Sequence, residues 1–158
     1  VPLILQRIDE RLIHGQVVLG WGNQLRPTRY LVVDDVLAGS EWEQELYRLG
    51  AGDADVVFAD TETARSSVAS WHGEPDRSVL LTRDVETMEA LVDVLPPESE
   101  VNLGGLHHGP ERREYLTYLH LSEKDVAALR AMDQAGALVY AQDLPDAARV
   151  SLASLLRG

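Results

Sequence analysis

The chain has 158 residues, of which 45% are hydrophobic and 25% charged, a composition that suits one soluble globular domain around a single core. It sets 14 basic against 26 acidic residues, a net charge of −12, which disfavours the phosphate neutralisation that nucleic-acid binding needs while leaving room for a small local anion site. Cysteine is absent, so thiolate nucleophiles and cysteine-ligated zinc or iron–sulfur centres are excluded.

Apolar runs and helix-spaced segments alternate in chain order. LILQRI (3–8) reads as a first strand, followed by the charged stretch RIDERLIH and by GQVVLGWGNQL, where Val17, Val18, Trp21 and Leu25 share one helical side. YLVVD (30–34) is the next strand. SEWEQELYRLG follows as a helix with Ser40 as its N-cap, acids in its first turn and Gly50 as its stop. ADVVFA (54–59) and SVLLT (78–82) are further strands. DVETMEALVDVL is a helix capped by Asp84 and halted before Pro96 and Pro97.

The last strands are VNLGG (101–105), YLTYLHL (115–121) and ALVYA (137–141). Between the latter two, SEKDVAALRAMDQAG is a helix in which Ser122 and Asp125 form a capping box and Gly136 is the stop. PDAARVSLASLLRG reads as a final helix opened by Pro145. Nearly continuous apolar runs are the mark of parallel strands buried on both faces. The expected fold is therefore a three-layer α/β/α sandwich with a mostly parallel central sheet, a single domain over 1–158. No apolar run approaches the roughly 20 residues that span a bilayer. The opening VPLIL lacks the basic start and cleavage site of a signal peptide, so a cytoplasmic protein is expected.

Ligand sites of open α/β sheets lie beyond the carboxyl ends of the strands. That directs attention to RIDERLIH, DDVLAGS, ADTETA, TRDVET and GGLHHGPER. His14 stands where a helix begins, at Gly15-Gln16, and helix starts gather free N–H groups that favour anions. Arg11 offers a planar fork for phosphate or carboxylate, and Asp9 or Glu10 can hold it or an imidazole N–H in place. The set fits nucleophilic catalysis by a neutral imidazole that takes up a phosphoryl group. By spacing alone, His14 reads either as that nucleophile or as an ordinary solvated loop residue.

RIDERLIHGQVVLGW resembles the R-[IV]-D-[DE]-R-[LF]-[IL]-H-G-Q-V signature of the enzyme IIB components of mannose/fructose/sorbose-type sugar phosphotransferase systems. YLVVDDVLA is similar to that family's second strand and its Asp-x-x-Ala loop. VNLGGLHHGPERREYLTYLHLSEKDVAALRAMDQAGALVYAQDLPD is similar to its Asn-x-Gly-Gly turn, following strand, Asp-containing helix and closing Gln-x-x-Pro. The resemblance implies that His14 accepts a phosphoryl group from a phosphohistidine of a IIA protein or domain and passes it to a sugar held by the membrane components IIC and IID. It makes Arg11 the nearest phosphate partner and Asp9 and Gln16 loop-ordering groups. Gly15 and the helix start then supply backbone N–H groups. No metal or other cofactor is implied, because phosphoryl transfer between histidines needs neither nucleotide nor Mg²⁺. Peripheral association with the permease and a homodimer are consistent with the resemblance.

Arg83, in LLTRD, is a candidate second phosphate ligand or docking residue, the alternative being a surface arginine paired with a nearby acid. Arg7, Arg11 and Arg83 are expected to form a local basic ring around His14, offsetting the chain's acidity toward an anionic partner. His107 and His108 lack a third ligand of zinc spacing and read as exposed turn residues, with His107 near the active loop as the other possibility. Asp34 and Asp35 suit capping and arginine pairing better than a magnesium site, and His72 and His120 read as structural. Trp21, Trp42 and Trp71 fall on helical segments and are expected to pack. Two function classes remain: a phosphocarrier of sugar uptake, and a regulatory relay of an incomplete phosphotransferase chain. A plain sugar-binding domain is disfavoured for want of a closed apolar pocket with convergent polar groups.

Overall fold

The computed structural model describes Leu3–Arg157. Its centre is a seven-stranded sheet in the order β3-β2-β4-β1-β5-β8-β9. The strands are β1 (Leu3–Ile8), β2 (Arg29–Val33), β3 (Asp55–Ala59), β4 (Ser78–Thr82), β5 (Glu100–Leu103), β8 (Leu138–Ala141) and β9 (Val150–Ser151). All pairings are parallel except β8 with β9. A separate antiparallel hairpin joins β6 (Arg112–Leu116) to β7 (Leu119–Ser122).

Alternation along each strand divides the core in two. Leu31, Val33 and Leu80 face α3 (Thr61–Gly73), α4 (Val85–Val92), α5 (Glu123–Gln134) and α6 (Leu152–Arg157). Tyr30, Val32, Val79 and Leu81 face the other way, toward α1 (Gln16–Trp21 continued by Gly22–Leu25) and α2 (Glu41–Gly50). Both faces are covered, and that is why the strands read as unbroken apolar runs. The three-layer sandwich and mostly parallel sheet expected from the sequence are present.

Local chemistry explains most element ends. Asp84 Oδ1 accepts the Thr87 N–H at 2.8 Å, and Ser122 and Asp125 form the reciprocal capping box at 3.0 Å. Gly136, at φ +102, closes α5 in a conformation other residues resist. Ser40 stands at the N-cap of α2, yet its hydroxyl makes no capping bond. Helix α3 is capped by Asp60, whose Oδ1 accepts the Thr63 N–H at 2.7 Å. The sequence marks Trp71 as helical there but sets no boundaries.

Two expectations are corrected. YLTYLHL is not one strand: Thr117 and Tyr118 turn the chain, and Leu116 pairs with Leu119. Neither turn residue is Gly, Pro, Asn or Asp, so the run looks continuous. The last helix does not begin at Pro145, which sits inside a turn closed by Ala147 N–H to Leu144 O at 3.0 Å. Strand β9 intervenes, and the helix starts at Leu152 with the Ser151 hydroxyl accepting the Ser154 N–H.

The connection after β1 leads toward β2, on one side of the sheet, while that after β5 leads toward β8, on the other. Strands β1 and β5 are neighbours, so their carboxyl ends frame a topological switch point.

Candidate active site

The first loop leaves β1 at this switch point. Asp9 N–H donates to Thr82 O at 2.9 Å, and Glu10 N–H to Gly105 O at 3.0 Å, so the loop is tied to both flanking strand ends. Asp9 then builds a turn around itself. Its Oδ1 accepts the Arg11 N–H at 3.1 Å, and its carbonyl accepts the Leu12 N–H at 2.9 Å. Leu12 is held at φ +55, a conformation costly for a branched side chain, and is completely buried. Leu12 and Ile13 plug the loop into the core beneath α1. The sequence reading does not single out this anchor, although an apolar pair inside a charged stretch is the signal that could have shown it.

His14 follows this plug, with its side chain 15% exposed. Its Nε2 lies 3.1 Å from Asp9 Oδ2, an oblique electrostatic contact and not a straight hydrogen bond. Its Nδ1 accepts the Gln16 N–H at 3.3 Å. The carboxylate thus favours a proton on Nε2 and leaves the Nδ1 lone pair facing the helix start. Helix α1 begins there as a wide π-helical segment, Gln16–Trp21, and continues as an α-turn, Gly22–Leu25. Gly22 N–H reaches back five residues to Val17 O. Such wide turns recur at functional sites.

Asp9 is buried, and its carboxyl titrates below its ordinary 3.8. Burial alone would raise it. The His14 contact, the Arg7 charge and the Arg11 N–H together outweigh that burial.

Arg7 corrects the sequence reading. The sequence reading puts it in a local basic ring around His14 that meets an anionic partner, yet it is completely buried, because it sits on an inner strand beneath the loop. Its Nη2 donates to Asp9 Oδ2 and to Asp143 O, both at 3.1 Å. Its Nη1 donates to Asn102 Oδ1, and to Gln142 O at 2.8 Å. The guanidinium also lies 5.4 Å from the Trp21 ring centre, and Trp21 Nε1 donates to Asp143 O at 2.9 Å. A Cβ on Gly104 would come within 2.4 Å of Arg7 Cζ, so only glycine admits the arginine here. Gln142 braces the receiving loop, donating from Nε2 to Pro145 O at 3.1 Å and Ala147 O at 2.8 Å. Asn102, Gly104, Gln142 and Pro145 belong to the Asn-x-Gly-Gly and Gln-x-x-Pro stretches. Their shared task is to house Arg7 behind Asp9.

Arg11 donates from Nη2 to Gln16 Oε1 at 2.9 Å, and its Nε lies 3.7 Å from Asp9 Oδ1. Its side chain is 39% exposed, so the guanidinium borders solvent beside the loop. Gly15 has helical backbone angles, and nothing would crowd a Cβ placed on it, which leaves open space next to His14. Arg83 has its Nε 3.4 Å from Asp34 Oδ1, a pairing with a nearby acid. Asp34 Oδ2 accepts the Leu37 N–H at 3.0 Å, and Asp35 Oδ1 the Thr61 N–H at 2.7 Å, the capping and pairing roles expected of them.

His107 and His108 are both exposed, and His107 Nδ1 touches the Glu10 carboxylate. Arg112 Nη1 reaches the same carboxylate at 3.2 Å, so Glu10 joins the first loop to the segment after β5. His120 is structural, its Nδ1 3.1 Å from Leu106 O. Trp21 and Trp71 are packed, but Trp42 is 69% exposed, contrary to expectation. A cavity of about 710 Å³ beside Tyr140 and Arg149 adjoins Glu100 and Leu138, which begin β5 and β8. That is the sheet edge opposite His14, so the reactive loop does not sit in that cavity.

Residues 3–158 match the family described as PTS system sorbose subfamily IIB component. The chain is 27% identical over 144 residues to the N-acetylgalactosamine-specific phosphotransferase enzyme IIB component 1 of Escherichia coli K12, covering 90% of this chain and 91% of that protein. It is 29% identical over 135 residues to the mannose-specific EIIAB component of the same organism, covering 84% of this chain and 41% of that longer protein. The IIBSor domain of the sorbose permease from Klebsiella pneumoniae superposes with a TM-score of 0.89 at 22% identity, over 99% of this chain and 97% of that one, a likeness of fold.

Proposed function

Because the chain belongs to the sorbose-subfamily IIB components of the phosphotransferase system, whose members are phosphotransferases, we propose that it is a phosphocarrier of sugar uptake with His14 as its phosphoryl acceptor. On this reading 1–158 is one IIB domain. The donor is a phosphohistidine of a IIA protein or domain, a pairing supported by the mannose-specific relative, whose name joins A and B components in one chain. The acceptor is a sugar held by membrane IIC and IID components, at which the protein works from the cytoplasm.

One observation carries the assignment: His14 is oriented from both ring nitrogens, by Asp9 at 3.1 Å and by the Gln16 N–H at 3.3 Å. With the proton on Nε2, the Nδ1 lone pair attacks phosphorus as the donor's P–N bond breaks. The donor imidazole leaves with the bonding pair, and Asp9 stabilises the charge that develops on the His14 ring. The Gln16 N–H then turns to a phosphoryl oxygen, and Arg11 releases Gln16 Oε1 to do the same. Gly15 leaves room for the incoming group. In the onward step a sugar hydroxyl oxygen forms the P–O bond as the Nδ1–P bond breaks, its proton passes to solvent, and Nδ1 regains its lone pair. Arg83, held by Asp34 on the neighbouring strand end, serves the docking of the donor.

The test is incubation with phosphoenolpyruvate, the general phosphocarriers and a cognate IIA, followed by mapping of acid-labile phosphate. Label on His14 is expected, and label that persists in His14→Ala overturns the assignment. Transfer to sugar in membranes carrying IIC and IID separates uptake from a purely regulatory relay.

A further inference from the structure

Helix α2 buries none of its side chains fully. Its inner side is held by Gln44, whose Nε2 donates to Leu37 O at 2.9 Å and Ala38 O at 3.1 Å, and by Tyr47, which packs against the core. Its outer side carries Trp42, Leu46 and Leu49, which are 69%, 59% and 81% exposed. Intervals of four and three residues put the three on one stripe of the helix. Beside it runs β3, the edge strand of the sheet. A tryptophan and two leucines in one solvent-facing row mark a contact surface.

We propose that this stripe is a self-association surface, on which a second copy of the chain lays its own α2 antiparallel about a two-fold axis. The stripe is self-complementary under that operation. Leu46 lies near its midpoint, so reversal sets Trp42 of each copy on Leu49 of the other and brings the two Leu46 side chains together. The charges obey the same symmetry. Glu41, Glu45 and Arg48 occupy one flank, with the arginine toward the carboxyl end. Arg48 stacks over Phe58 of β3, 5.0 Å from its ring centre, and lies 3.6 Å from Glu45 Oε1. Antiparallel packing places each Arg48 between Glu41 and Glu45 of the other copy. A uniformly acidic flank would instead select a basic partner.

Two carboxylates per arginine remain on this flank, and each copy has a net charge of −12. Long-range repulsion therefore opposes the apolar contact, and added salt tightens the dimer by screening it. The surface also bears on the reactive loop. A Cβ on Gly50, which ends α2, would sit 3.9 Å from Ile13 Cγ2, one residue before His14.

Sedimentation of the full chain from low micromolar to near-millimolar concentration, at low and high salt, tests the proposal. A concentration-dependent dimer that strengthens with salt is expected. Leu49→Glu and Trp42→Ser should each weaken it roughly tenfold or more with melting temperature unchanged, since both residues are exposed anchors. Arg48→Glu should weaken it as well, and mixing that variant with Glu41→Arg/Glu45→Arg should restore association as a heterodimer. A wild-type chain that stays monomeric throughout overturns the proposal, as does a dimer indifferent to Leu49→Glu and Arg48→Glu. A monomer whose Trp42 becomes shielded only when a phosphoryl-donor protein is added also overturns it and assigns the face to that donor.

Discussion

Arg7 Nη2 and Asp9 Oδ2 meet at 3.1 Å with both side chains fully buried, and the same carboxylate oxygen lies 3.1 Å from His14 Nε2. The arginine thus acts on the histidine through one atom. Its other partners are fixed backbone carbonyls and an asparagine, so the aspartate has little freedom to turn away. Arg7→Met removes the charge, takes the arginine partner from the buried Asp9 and withdraws the donor to Asn102 Oδ1, Gln142 O and Asp143 O. Breaking a buried pair in this way costs about 3–5 kcal/mol. For a chain of this length that corresponds to a fall in melting temperature of roughly 2–4 °C per kcal/mol. Thermal melts check the stability loss, and phosphoryl transfer should fall with it. Arg7→Met melting like wild type would show that Asp9 is held by other means.

Asp9 gives the fold an acid limb. Its folded carboxyl titrates below the ordinary 3.8, so the ionised form favours the folded state. That contribution is fully present above the unfolded value. It is lost as pH falls from about 3.8 through the lower folded value, because the unfolded chain binds the proton first. Asp9→Asn has no proton to exchange there. Its urea midpoint should lie below wild type at neutral pH and fall less steeply below pH 4. Parallel curves for the two proteins would remove Asp9 from the acid transition.

Gly104 and Gly15 make opposite predictions for the same substitution. At Gly104 an alanine Cβ would sit 2.4 Å from Arg7 Cζ, and the buried guanidinium is held in place by Asp9, Asn102 and the Gln142 and Asp143 carbonyls. Overpacking of this kind costs about 1–3 kcal/mol. At Gly15 nothing lies within 4 Å of the added methyl, and φ is −50, an ordinary helical value. Gly15→Ala should therefore leave stability unchanged or raise it by about 0.4–1 kcal/mol through the unfolded chain. Any loss of transfer in Gly15→Ala then reports on access to His14 and not on folding. Denaturation midpoints of both variants, set beside transfer rates, separate the two effects.

Much of this was legible in the residues, for reasons that differ by element. The buried parallel strands declare themselves as continuous apolar runs, and Asp84, Ser122, Asp125 and Gly136 mark helix ends through local chemistry. The turn at Thr117-Tyr118 escaped because hydrophobicity continues through it. In the site, His14 and Asp9 stood out by crowding at a strand–helix junction. Arg7 was misplaced because sequence lists it as one more charge near the loop, whereas its burial depends on Asn102, Gly104 and Gln142, each more than ninety residues away. Trp42 departs from expectation for the converse reason. Helical spacing identifies a stripe but not what covers it.

Arg83 is the residue whose role a kinetic split decides. Its Nε is 3.4 Å from Asp34 Oδ1, and its side chain is 39% exposed, so one edge of the guanidinium is engaged and the rest faces solvent. The surface ion pair itself is worth about 0–1 kcal/mol, and Arg83→Ala should fold normally. A docking contact acts before the chemical step and equally in ground and transition states. Its removal raises KM for phosphorylated IIA while leaving kcat intact. A phosphate ligand acts on the charge that moves in transfer, and its loss lowers kcat. The expected result for Arg83→Ala is therefore a raised KM at constant kcat that eases as salt screens the encounter. A fall in kcat would move Arg83 into the phosphate shell beside Arg11. Unchanged values of both would confine it to holding Asp34.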